Sequence, residues 1–495
     1  METNERAKRE QYQAAERELF QLIEEIEGIE EGNLKQLEER IYQGIFRIGS
    51  KLMECAISKG ERSEPIQTRI QGNCGHEQKL VGYRSKKLLT LFGEIEYKRA
   101  YYQCQIEKSE DTEKKEGVQE QEEDCSHGRS PSDEKWGIQG TRTTPGVQQT
   151  ISYFCSMLTF EEAAEAFERL LPLGMSARQA LNLARPIGDA LADKEEETVK
   201  NLFSEITNSK TDDDHEKIDE GTVKDIRRLY IEMDGILARM RRGTVPMEDH
   251  EQKRDGDVYR EVKVGAIFEA VQGRERSELV PDVYIDTPKE GRKLYVARRT
   301  AKGGFAQLLY AQARLSGLDR AQQIVVLGDG ALWIWKQADE HFPGAVQIVD
   351  LYHAKEHVWE VAHAVYGHQG QDASIWAEQA CNLLVNGKIE ELVVLISKLP
   401  PVSPASGQGR SAPERAINYF TANAERMRYP QFRAQGMHIG SGIAEAACKT
   451  VVGVRAKGTG MRWTPDGLDA ILPLRTAKLS GTYNQFCEEH SRLIA

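Results

Sequence analysis

A buried strand that ends on an acid places the strongest constraint on how this chain can fold. Residues 324–327, "IVVL", have the apolar, β-branched composition of a strand inside a sheet. Asp329 follows between two glycines, and two tryptophans come directly after it. An ordinary turn would use the same residue types, because Asp and Gly are common in turns. The acid becomes a functional candidate only if other acids lie close to it in the fold.

The segments around this strand predict the layers that contain it. Strands followed by alternating strands and helices indicate a mixed sheet with helices packed on it, in the α+β or α/β class. The predicted strands are 226–240, 260–271, 293–299 and a strand from 345, and the predicted helices are 305–318, one from 353 and several more up to about 428.

The earlier part of the chain follows a different pattern. Apolar residues at helical spacing predict a helix, whereas alternation interrupted by Phe92-Gly93 predicts a β-hairpin. The predicted elements are a helix over 4–58, a hairpin within 69–105, an acidic loop at 109–124, helices over 145–190 and a polar linker over 194–220.

The composition is that of a large soluble protein. The chain has 495 residues, of which 29% are charged, and no apolar run approaches the roughly 20 residues that a membrane-spanning helix needs. The first residues lack the apolar stretch of a signal peptide. Eight cysteines in so long a chain do not make a disulfide scaffold. We therefore expect a cytoplasmic protein with no membrane partner.

The net charge of −12 argues less strongly against a nucleic-acid partner than its value suggests. Residues 1–40, 109–124 and 194–220 each carry a net charge of −6, so the remainder of the chain is net positive. Basic side chains are frequent in residues 446–480. This distribution permits binding to a polyanion, although runs of charge are often only solvated faces or linkers.

Three acids in the second half of the chain have the chemistry of a two-metal site. Asp234 lies in the predicted strand "YIEMDG", Asp329 ends "IVVLGDG", and Glu445 lies in the predicted helix "GSGIAEAACK". Two Mg²⁺ or Mn²⁺ ions about 4 Å apart require hard oxygen ligands, which carboxylates supply. Such ions activate a water or a 3′-hydroxyl and stabilise the leaving oxygen of a phosphodiester. Alternatively, both aspartates form turns before glycine, and Glu445 pairs with Lys449 one helical turn later.

The combined motifs resemble a known family of enzymes. The order "YIEMDG", "VVLGDGALWIW", "IVDLYHAKEH" and "GSGIAEAACKTVVGVRAKGTGMRW" is similar to that of the DDE transposases of bacterial insertion sequences, specifically the ISKra family, distant relatives of Mutator-type transposases. The resemblance covers roughly residues 70–490. It implies that Asp234, Asp329 and Glu445 are the first, second and third catalytic acids and the ligands of two Mg²⁺ or Mn²⁺ ions.

The resemblance also implies a ribonuclease-H-like catalytic core that carries an all-helical insertion between the second and third acids. Together with the predicted elements it divides the chain into seven regions. These are an N-terminal helical region (1–65), a zinc-binding hairpin module (66–140), a helix-turn-helix-like region (141–193), an acidic linker (194–222), the first part of the core (223–358), the helical insertion (359–435) and the second part of the core (436–495).

Asp350 and His353, in "DLYH", resemble an auxiliary signature that lies between the second and third acids of Mutator-like enzymes. The alternative is a strand-end aspartate beside a buried, hydrogen-bonded histidine. His357 and His363 are interpreted as structural.

Five soft ligands bracket the predicted hairpin and suggest a zinc ion. Four are enough for tetrahedral zinc, and the resemblance places a zinc-binding module in this region of many relatives. The acidic insert and the C-x-H spacing are unusual, so free thiols in a small hairpin domain remain the alternative. The candidate ligands are Cys74, His76, Cys104, Cys125 and His127.

Two segments are candidates for contact with DNA. Thr159 and Ser176 are the predicted caps of two helices with helix-turn-helix spacing, although many helical hairpins bind nothing. Basic residues that closely follow Glu445 could bind phosphates, and Trp463 could either stack on a base or belong to the core. The candidate DNA-binding residues are Arg178, Gln179 and Asn182 in the first segment and Lys449, Arg455, Lys457 and Arg462 in the second.

The sequence therefore predicts a transposase that binds the terminal inverted repeats of its element, cleaves the ends and joins them to target DNA. The resemblance implies a homodimer or higher oligomer on DNA. Two alternatives are a ribonuclease-H-like nuclease that hydrolyses DNA without joining it and a DNA-binding protein whose acids only solvate turns.

Overall fold

A computed structural model describes most of the chain, which divides into two compact units. The units are Met1–Ile187 with Asn484–Ala495, and Gly188–Tyr483. The described residues are 2–30, 32–62, 67–72, 75–104, 128–209, 225–244, 252–254, 257–274, 284–368, 370–404, 409–440 and 442–494.

The first unit contains a four-stranded antiparallel sheet in the order β1-β2-β3-β4. The predicted hairpin is confirmed, since β2 and β3 pair from Gln78 with Cys104 to Thr90 with Gly93. Leu88 and Ile95 are buried in a small core beneath it. The strands are β1 (Arg69–Gln71), β2 (Glu77–Thr90), β3 (Gly93–Cys104) and β4 (Gly128–Arg129).

The predicted helix over residues 4–58 is two helices, not one. The chain breaks near Gly32, whose φ of 92° is a conformation that glycine adopts without strain. The two helices then pack side by side, and Arg47 forms an ion pair of 2.9 Å with Glu25. The helices of this unit are α1 (Glu2–Glu27), α2 (Leu34–Arg62), α3 (Pro131–Lys135), α4 (Pro145–Met157), α5 (Phe160–Leu170), the first part of α6 (Ala177–Ser209) and α17 (Tyr483–Ile494).

The two predicted helix caps in residues 159–176 are confirmed. Thr159 forms a capping box with Glu162 at the start of α5. At the start of α6, the backbone N–H of Gln179 donates to the Ser176 hydroxyl over 3.3 Å. Two capped helices joined by a short connection therefore occupy the segment with helix-turn-helix spacing.

The predicted acidic linker is wrong over its first part, because residues 194–209 continue α6. This part belongs to the second unit, in which Glu195 lies 3.5 Å from the guanidinium of Arg298. Polar composition predicts an unpacked segment, but Glu195 and Glu196 of this helix have basic partners, Arg298 and Lys302, that are distant in sequence. The remaining residues of the predicted linker, 210–222, lie outside the described residues.

Glu195 is expected to make stability depend on pH. Burial raises its pKa to about 7, although Arg298 and Lys302 oppose the rise. The folded state thus keeps a proton that the unfolded chain loses near pH 4.5, so stability is lost as the pH rises through 7. Between pH 5 and pH 8.5, the unfolding free energy of the wild type should fall by about 3 kcal/mol more than that of Glu195→Gln. Denaturant unfolding at the two pH values measures this, with the exposed Glu197→Gln as control; equal declines in wild type and Glu195→Gln would contradict it.

The second unit is built on a mixed six-stranded sheet. Its strands follow the order β10-β9-β5-β7-β6, and β8 also pairs with β7. Strands β5, β9 and β10 are parallel, whereas β7 runs antiparallel to β5, β6 and β8. The strands are β5 (Ile226–Met240), β6 (Gln252–Arg254), β7 (Asp257–Arg274), β8 (Tyr284–Arg299), β9 (Ala321–Gly328) and β10 (Val346–Val349).

Helices flank this sheet and bury it, which confirms the predicted α+β class. Apolar residues of β5 and β9, such as Ile231 and Val326, are inaccessible to solvent. Regular structure in the described residues between β10 and residue 434 is helical. The helices are α7 (Phe305–Leu315), α8 (Leu332–His341), α9 (Leu351–Tyr366), α10 (Gln371–Val385), α11 (Ile389–Ser397), α12 (Ala412–Asn423), α13 (Tyr429–Ala434), α14 (Gly442–Ala447), α15 (Val454–Ala456) and α16 (Pro465–Leu479).

None of the helices in the described ranges combines the length and apolar composition that a membrane span requires.

Candidate functional site

Three aspartates lie at the same edge of the parallel strands. Met233 of β5 pairs with Gly328 of β9, and Asp234 and Asp329 are the residues that directly follow this pair. Gly328 also pairs with the last residue of β10, and the N–H of the next residue, Asp350, donates to the Gly328 carbonyl oxygen over 2.8 Å. Because neighbouring strands are about 4.8 Å apart, the three acids form a row along this edge.

The glycines around Asp329 serve close packing. A Cβ on Gly328 would lie 3.2 Å from the Met233 carbonyl oxygen and closer still to the Ile334 side chain. Gly330 has a φ of 97°, and a side chain there would meet the ring of Tyr419. The Asp329 carboxylate accepts the N–H of Ala331 over 2.8 Å, which is the turn that Asp commonly makes. Asp329 is thus both a turn former and a rigidly held acid.

The charges of Asp234 and Asp329 act on each other. Burial raises the pKa of Asp234, and the negative charge of Asp329 raises it further. Hydrogen bonds from the Cys448 thiol and from the N–H of Gly235, the latter 2.6 Å long, oppose the rise. Two mutually repelling carboxylates on adjacent strands favour a bound cation.

The helix that carries Glu445 lies alongside β5. The N–H of Ala444 donates to the Glu232 carboxylate over 2.6 Å, and Cys448 hydrogen-bonds to Asp234. The spacings agree, because four helical residues rise about 6 Å and two strand residues about 6.6 Å. This segment therefore runs beside the strand that carries the first predicted acid.

Glu445 itself is directed away from the two aspartates. Its side chain is 71% exposed and lies 3.6 Å from Lys449, one helical turn later. This is the pairing that the sequence offered as an alternative to a catalytic role. In the part of the chain that the structure describes, no three His, Cys, Asp or Glu side chains are grouped to hold a metal ion. The structure thus brings together Asp234 and Asp329 but not the Glu445 carboxylate.

A π-helical segment, Cys448–Gly453, follows directly. Its wider turn changes the backbone hydrogen bonding, and Arg475 donates to the Thr450 carbonyl oxygen over 2.6 Å. Segments of this kind are frequent at functional sites. This one begins at Cys448, which hydrogen-bonds to Asp234 of β5.

Asp350 has a structural role that explains its position. It is 4% exposed and caps α9 by accepting the N–H of His353 over 2.7 Å. The His353 ring is part-exposed, lies 3.3 Å from Glu356, and its charge lowers the pKa of Asp234. The structure thus favours the strand-end interpretation for Asp350 and places His353 near the acids.

Sequence reasoning missed four residues of this site. Glu232 precedes Asp234 by two residues, which puts both on the same face of β5, and Cys448 follows Glu445 by three residues but faces Asp234. His357 was interpreted as structural, yet its ring centroid lies 4.0 Å from that of Tyr419, whose hydroxyl donates to the Asp329 carbonyl oxygen over 2.8 Å. No sequence signal could have identified Tyr419, which is 90 residues from Asp329.

Glu232 is the most deeply buried of these groups. Burial raises its pKa to about 8, and the negative charge of Asp350 adds to the rise. One carboxylate oxygen accepts the Ala444 N–H, and the other has no hydrogen-bond partner among the described residues.

Of the four candidate basic residues after Glu445, three are exposed and one is buried. Lys449, Lys457 and Arg462 are exposed, and the charge of Lys457 acts on the Cys448 thiol beside Asp234. The predicted DNA contact by Arg455 needs correction, because this residue is 2% exposed and its guanidinium lies 5.0 Å from the centre of the Trp463 ring.

Trp463 is a core residue, not a platform for a base. It is 6% exposed, its indole N–H donates to the Ala456 carbonyl oxygen over 3.0 Å, and its backbone forms a parallel bridge with Met240.

Arg455→Ala should therefore affect the stability of the protein, whereas Lys457→Ala should affect its binding to DNA. Loss of the buried Arg455 side chain should cost about 3 kcal/mol of unfolding free energy. Loss of the exposed Lys457 should leave stability nearly unchanged and make the salt dependence of DNA binding shallower by about one unit. Thermal unfolding and DNA binding measured against salt concentration test both variants. A stable Arg455→Ala protein with a shallower salt slope would show that the arginine contacts phosphate after all.

The candidate DNA-binding residues of α6 are exposed, but one of them has a local role. The Gln179 side-chain oxygen accepts from both the N–H and the hydroxyl of Ser176, at 2.9 Å each. Arg178 and Asn182 lie on the exposed surface of the same turns. Contact with DNA there stays a prediction.

The described residues include two of the five candidate zinc ligands. Cys104 is buried, and the Gln78 amide donates to its sulfur over 3.3 Å. His76 is exposed and lies two residues before Gln78, which pairs with Cys104, so both candidates lie at one end of the hairpin. Cys74, Cys125 and His127 lie outside the described residues. The zinc ion remains a prediction that metal analysis of purified protein can check.

No protein-family model matches this chain, and no curated protein matches it.

Proposed function

We propose that this protein is a DNA strand transferase, the transposase of an insertion sequence of the ISKra type. The observation that carries the proposal is the placement of Asp234 and Asp329 directly after paired residues on adjacent parallel strands, with charges that act on each other. Rigid, neighbouring carboxylates are the arrangement that a two-metal phosphodiester reaction requires.

The architecture of the second unit supports a ribonuclease-H-like core. A mixed sheet with flanking helices carries the two aspartates at its parallel edge. Regular structure in the described residues of 359–435 is helical, in line with a helical insertion there. The helix of Glu445 then returns to β5.

Asp234 and Asp329 fit a divalent cation by their chemistry, because both are carboxylates and their repulsion falls when a cation binds. Mg²⁺ or Mn²⁺ bound there would activate a water or 3′-hydroxyl and stabilise the leaving oxygen. Glu445 would join them as the third ligand by releasing Lys449, a rotation that an exposed pair allows at small cost.

Other side chains have supporting roles in this proposal. The Cys448 thiol and the Gly235 N–H fix the orientation of the Asp234 carboxylate. Lys457 is exposed near this carboxylate and can bind a DNA phosphate. We propose that His353, whose charge acts on Asp234, contacts the same DNA strand. The partners are terminal inverted repeats and target DNA, bound by a homodimer or higher oligomer in the cytoplasm.

An assay of DNA cleavage and joining tests the proposal. Purified protein is incubated with labelled duplexes that carry the ends of the element and with a target plasmid, with and without Mg²⁺. We expect cleaved ends and joined products with Mg²⁺ or Mn²⁺, and neither product with EDTA. Cleavage without joining would favour the nuclease alternative, and binding without cleavage would favour a non-catalytic DNA-binding protein.

A further inference from the structure

The two N-terminal helices of the first unit carry apolar side chains that do not belong to its core. Six of them are between 37% and 67% exposed. Those on α2 are separated by four or seven positions, which is the spacing of a seam along which helices pack together. The six residues are Leu19 and Ile23 of α1 and Leu34, Ile41, Ile45 and Leu52 of α2.

Contacts between α1 and α2 show which sides of the two helices face each other. Leu22 is buried, and a Cβ on Gly44 would meet its side chain. Arg47 lies 3.4 Å from Glu18 and 2.9 Å from Glu25, which are two helical turns apart on α1. The two helices therefore form an antiparallel hairpin that meets along these residues.

The six exposed side chains lie on one side of this hairpin, and we call them the apolar face. Ile23 follows Leu22, and Ile45 follows Gly44, so each comes directly after a residue that faces the other helix. One residue turns a helix by 100°, and in an antiparallel pair this turn leads to the same side of both helices. The other four residues are 4, 7 or 11 positions from Ile23 or Ile45 on the same helix, which keeps them on that side.

The β2–β3 hairpin packs on a different side of α2. A Cβ on Gly49 would lie 2.4 Å from the ring of Phe92, and Ile57 belongs to the small core that contains Leu88 and Ile95. The sheet thus holds α2 in place while the apolar face stays exposed.

The apolar face is large enough for a specific protein interface. From Leu34 to Leu52 it is about 27 Å long, and two helices about 9 Å apart make it about 18 Å wide. This gives about 500 Å² on each of two copies, or about 1,000 Å² in total, which is the size at which specific interfaces begin. Exposed apolar patches of this size mark interaction sites on soluble proteins.

The charges of the two helices indicate that the partner is a second copy of this chain. Helix α1 has eight acidic and four basic residues, a net charge of −4, whereas α2 has four acidic and six basic residues, a net charge of +2. A twofold axis parallel to the helices places α1 of each copy over α2 of the other. Opposite charges then meet at both positions, and all neighbouring helices are antiparallel, as in a four-helix bundle.

We propose that the apolar face joins two copies of this protein into a dimer through a four-helix bundle of α1 and α2. The dimer forms without DNA, unlike the oligomer on DNA that the resemblance implies. The inference concerns helices of the first unit only, so it can hold or fail whether or not the protein cuts and joins DNA.

The test is the mass of the full-length protein in solution. Nuclease-treated protein is measured by sedimentation velocity at about 10 µM, which detects a dimer whose Kd is micromolar or lower. We expect twice the chain mass of 55.8 kDa. Ile45→Glu should raise the Kd of the dimer about 100-fold or more, because it places a charge in the centre of the interface. Leu34→Glu should weaken the dimer in the same way.

Both variants should keep the far-UV circular dichroism of the wild type, since both side chains are exposed in the single chain. Leu315→Glu is the matched control, because Leu315 is an exposed apolar residue of α7, outside the apolar face. This variant should remain a dimer. A monomeric wild type would overturn the inference, as would a wild-type Kd in both Ile45→Glu and Leu34→Glu or an equal loss of dimer in Leu315→Glu.

A double variant tests the pairing of α1 with α2. Leu22 and Gly44 lie at the same level, so the residues that follow them, Ile23 and Ile45, are within about 3 Å of each other along the helix axes. The twofold axis then places Ile23 of one copy opposite Ile45 of the other. Ile23→Lys combined with Ile45→Glu should therefore recover much of the dimer that each single substitution removes. A double variant as monomeric as Ile45→Glu would contradict this pairing.

Discussion

Asp329→Ala is expected to abolish DNA cleavage and joining. The carboxylate ends a buried strand next to that of Asp234, and loss of either should reduce the rate on the order of 10³-fold or more, because each supplies charge where a cation would bind. Asp329→Asn is the sharper variant. Its side-chain oxygen can still accept the Ala331 N–H, so it removes the charge while the turn is retained.

The control for this prediction is an acid outside the row. Asp339 lies on α8, where its exposed side chain accepts a hydrogen bond from Gln347, and Asp339→Asn should cleave and join like wild type. All three variants should bind end DNA with nearly wild-type affinity, measured by fluorescence anisotropy. Substantial cleavage by Asp329→Asn would remove this aspartate from the catalytic site and, with it, the main support for a strand transferase.

Glu232→Leu is expected to reduce activity about 10²-fold while the protein stays folded. Glu232 accepts the N–H at the start of the helix that carries Glu445 and Cys448. Leucine cannot accept this bond, and an unsatisfied buried N–H costs about 1–3 kcal/mol, so we expect the helix to shift. Displacements of about 1 Å at a catalytic group can cost about 100-fold in rate. Stability should change little, because leucine also removes a buried carboxylate with an unpartnered oxygen.

Glu232→Gln separates positioning from catalysis. Its amide oxygen can accept the Ala444 N–H, so this variant should recover most of the activity. If both variants lose activity equally, the carboxylate itself takes part in the reaction. If both retain full activity, the contact with Ala444 does not position the helix.

Much of the candidate site could be predicted from local sequence. An apolar run of four residues followed by Gly-Asp-Gly indicates a buried strand with an acid at its end, because burial and turn formation are both local preferences. The caps at Thr159 and Ser176 and the hairpin turn near Phe92 were predictable for the same reason. The resemblance to transposases drew attention to Asp234 and Glu445 but did not determine how their side chains are oriented.

The sequence alone thus determined the main strands of the second half of the chain, the hairpin of the first half and the acid that ends the strand over residues 324–327. Only the tertiary structure decided which side chains meet: that Arg455 is buried against Trp463, that Glu232 binds the start of the Glu445 helix, and that Tyr419 reaches the backbone of Asp329. It also extended α6 through a segment that looked like a linker. The reason is physical: periodicity reports local backbone preference, whereas burial of a charged or polar side chain depends on partners that the chain brings from distant positions.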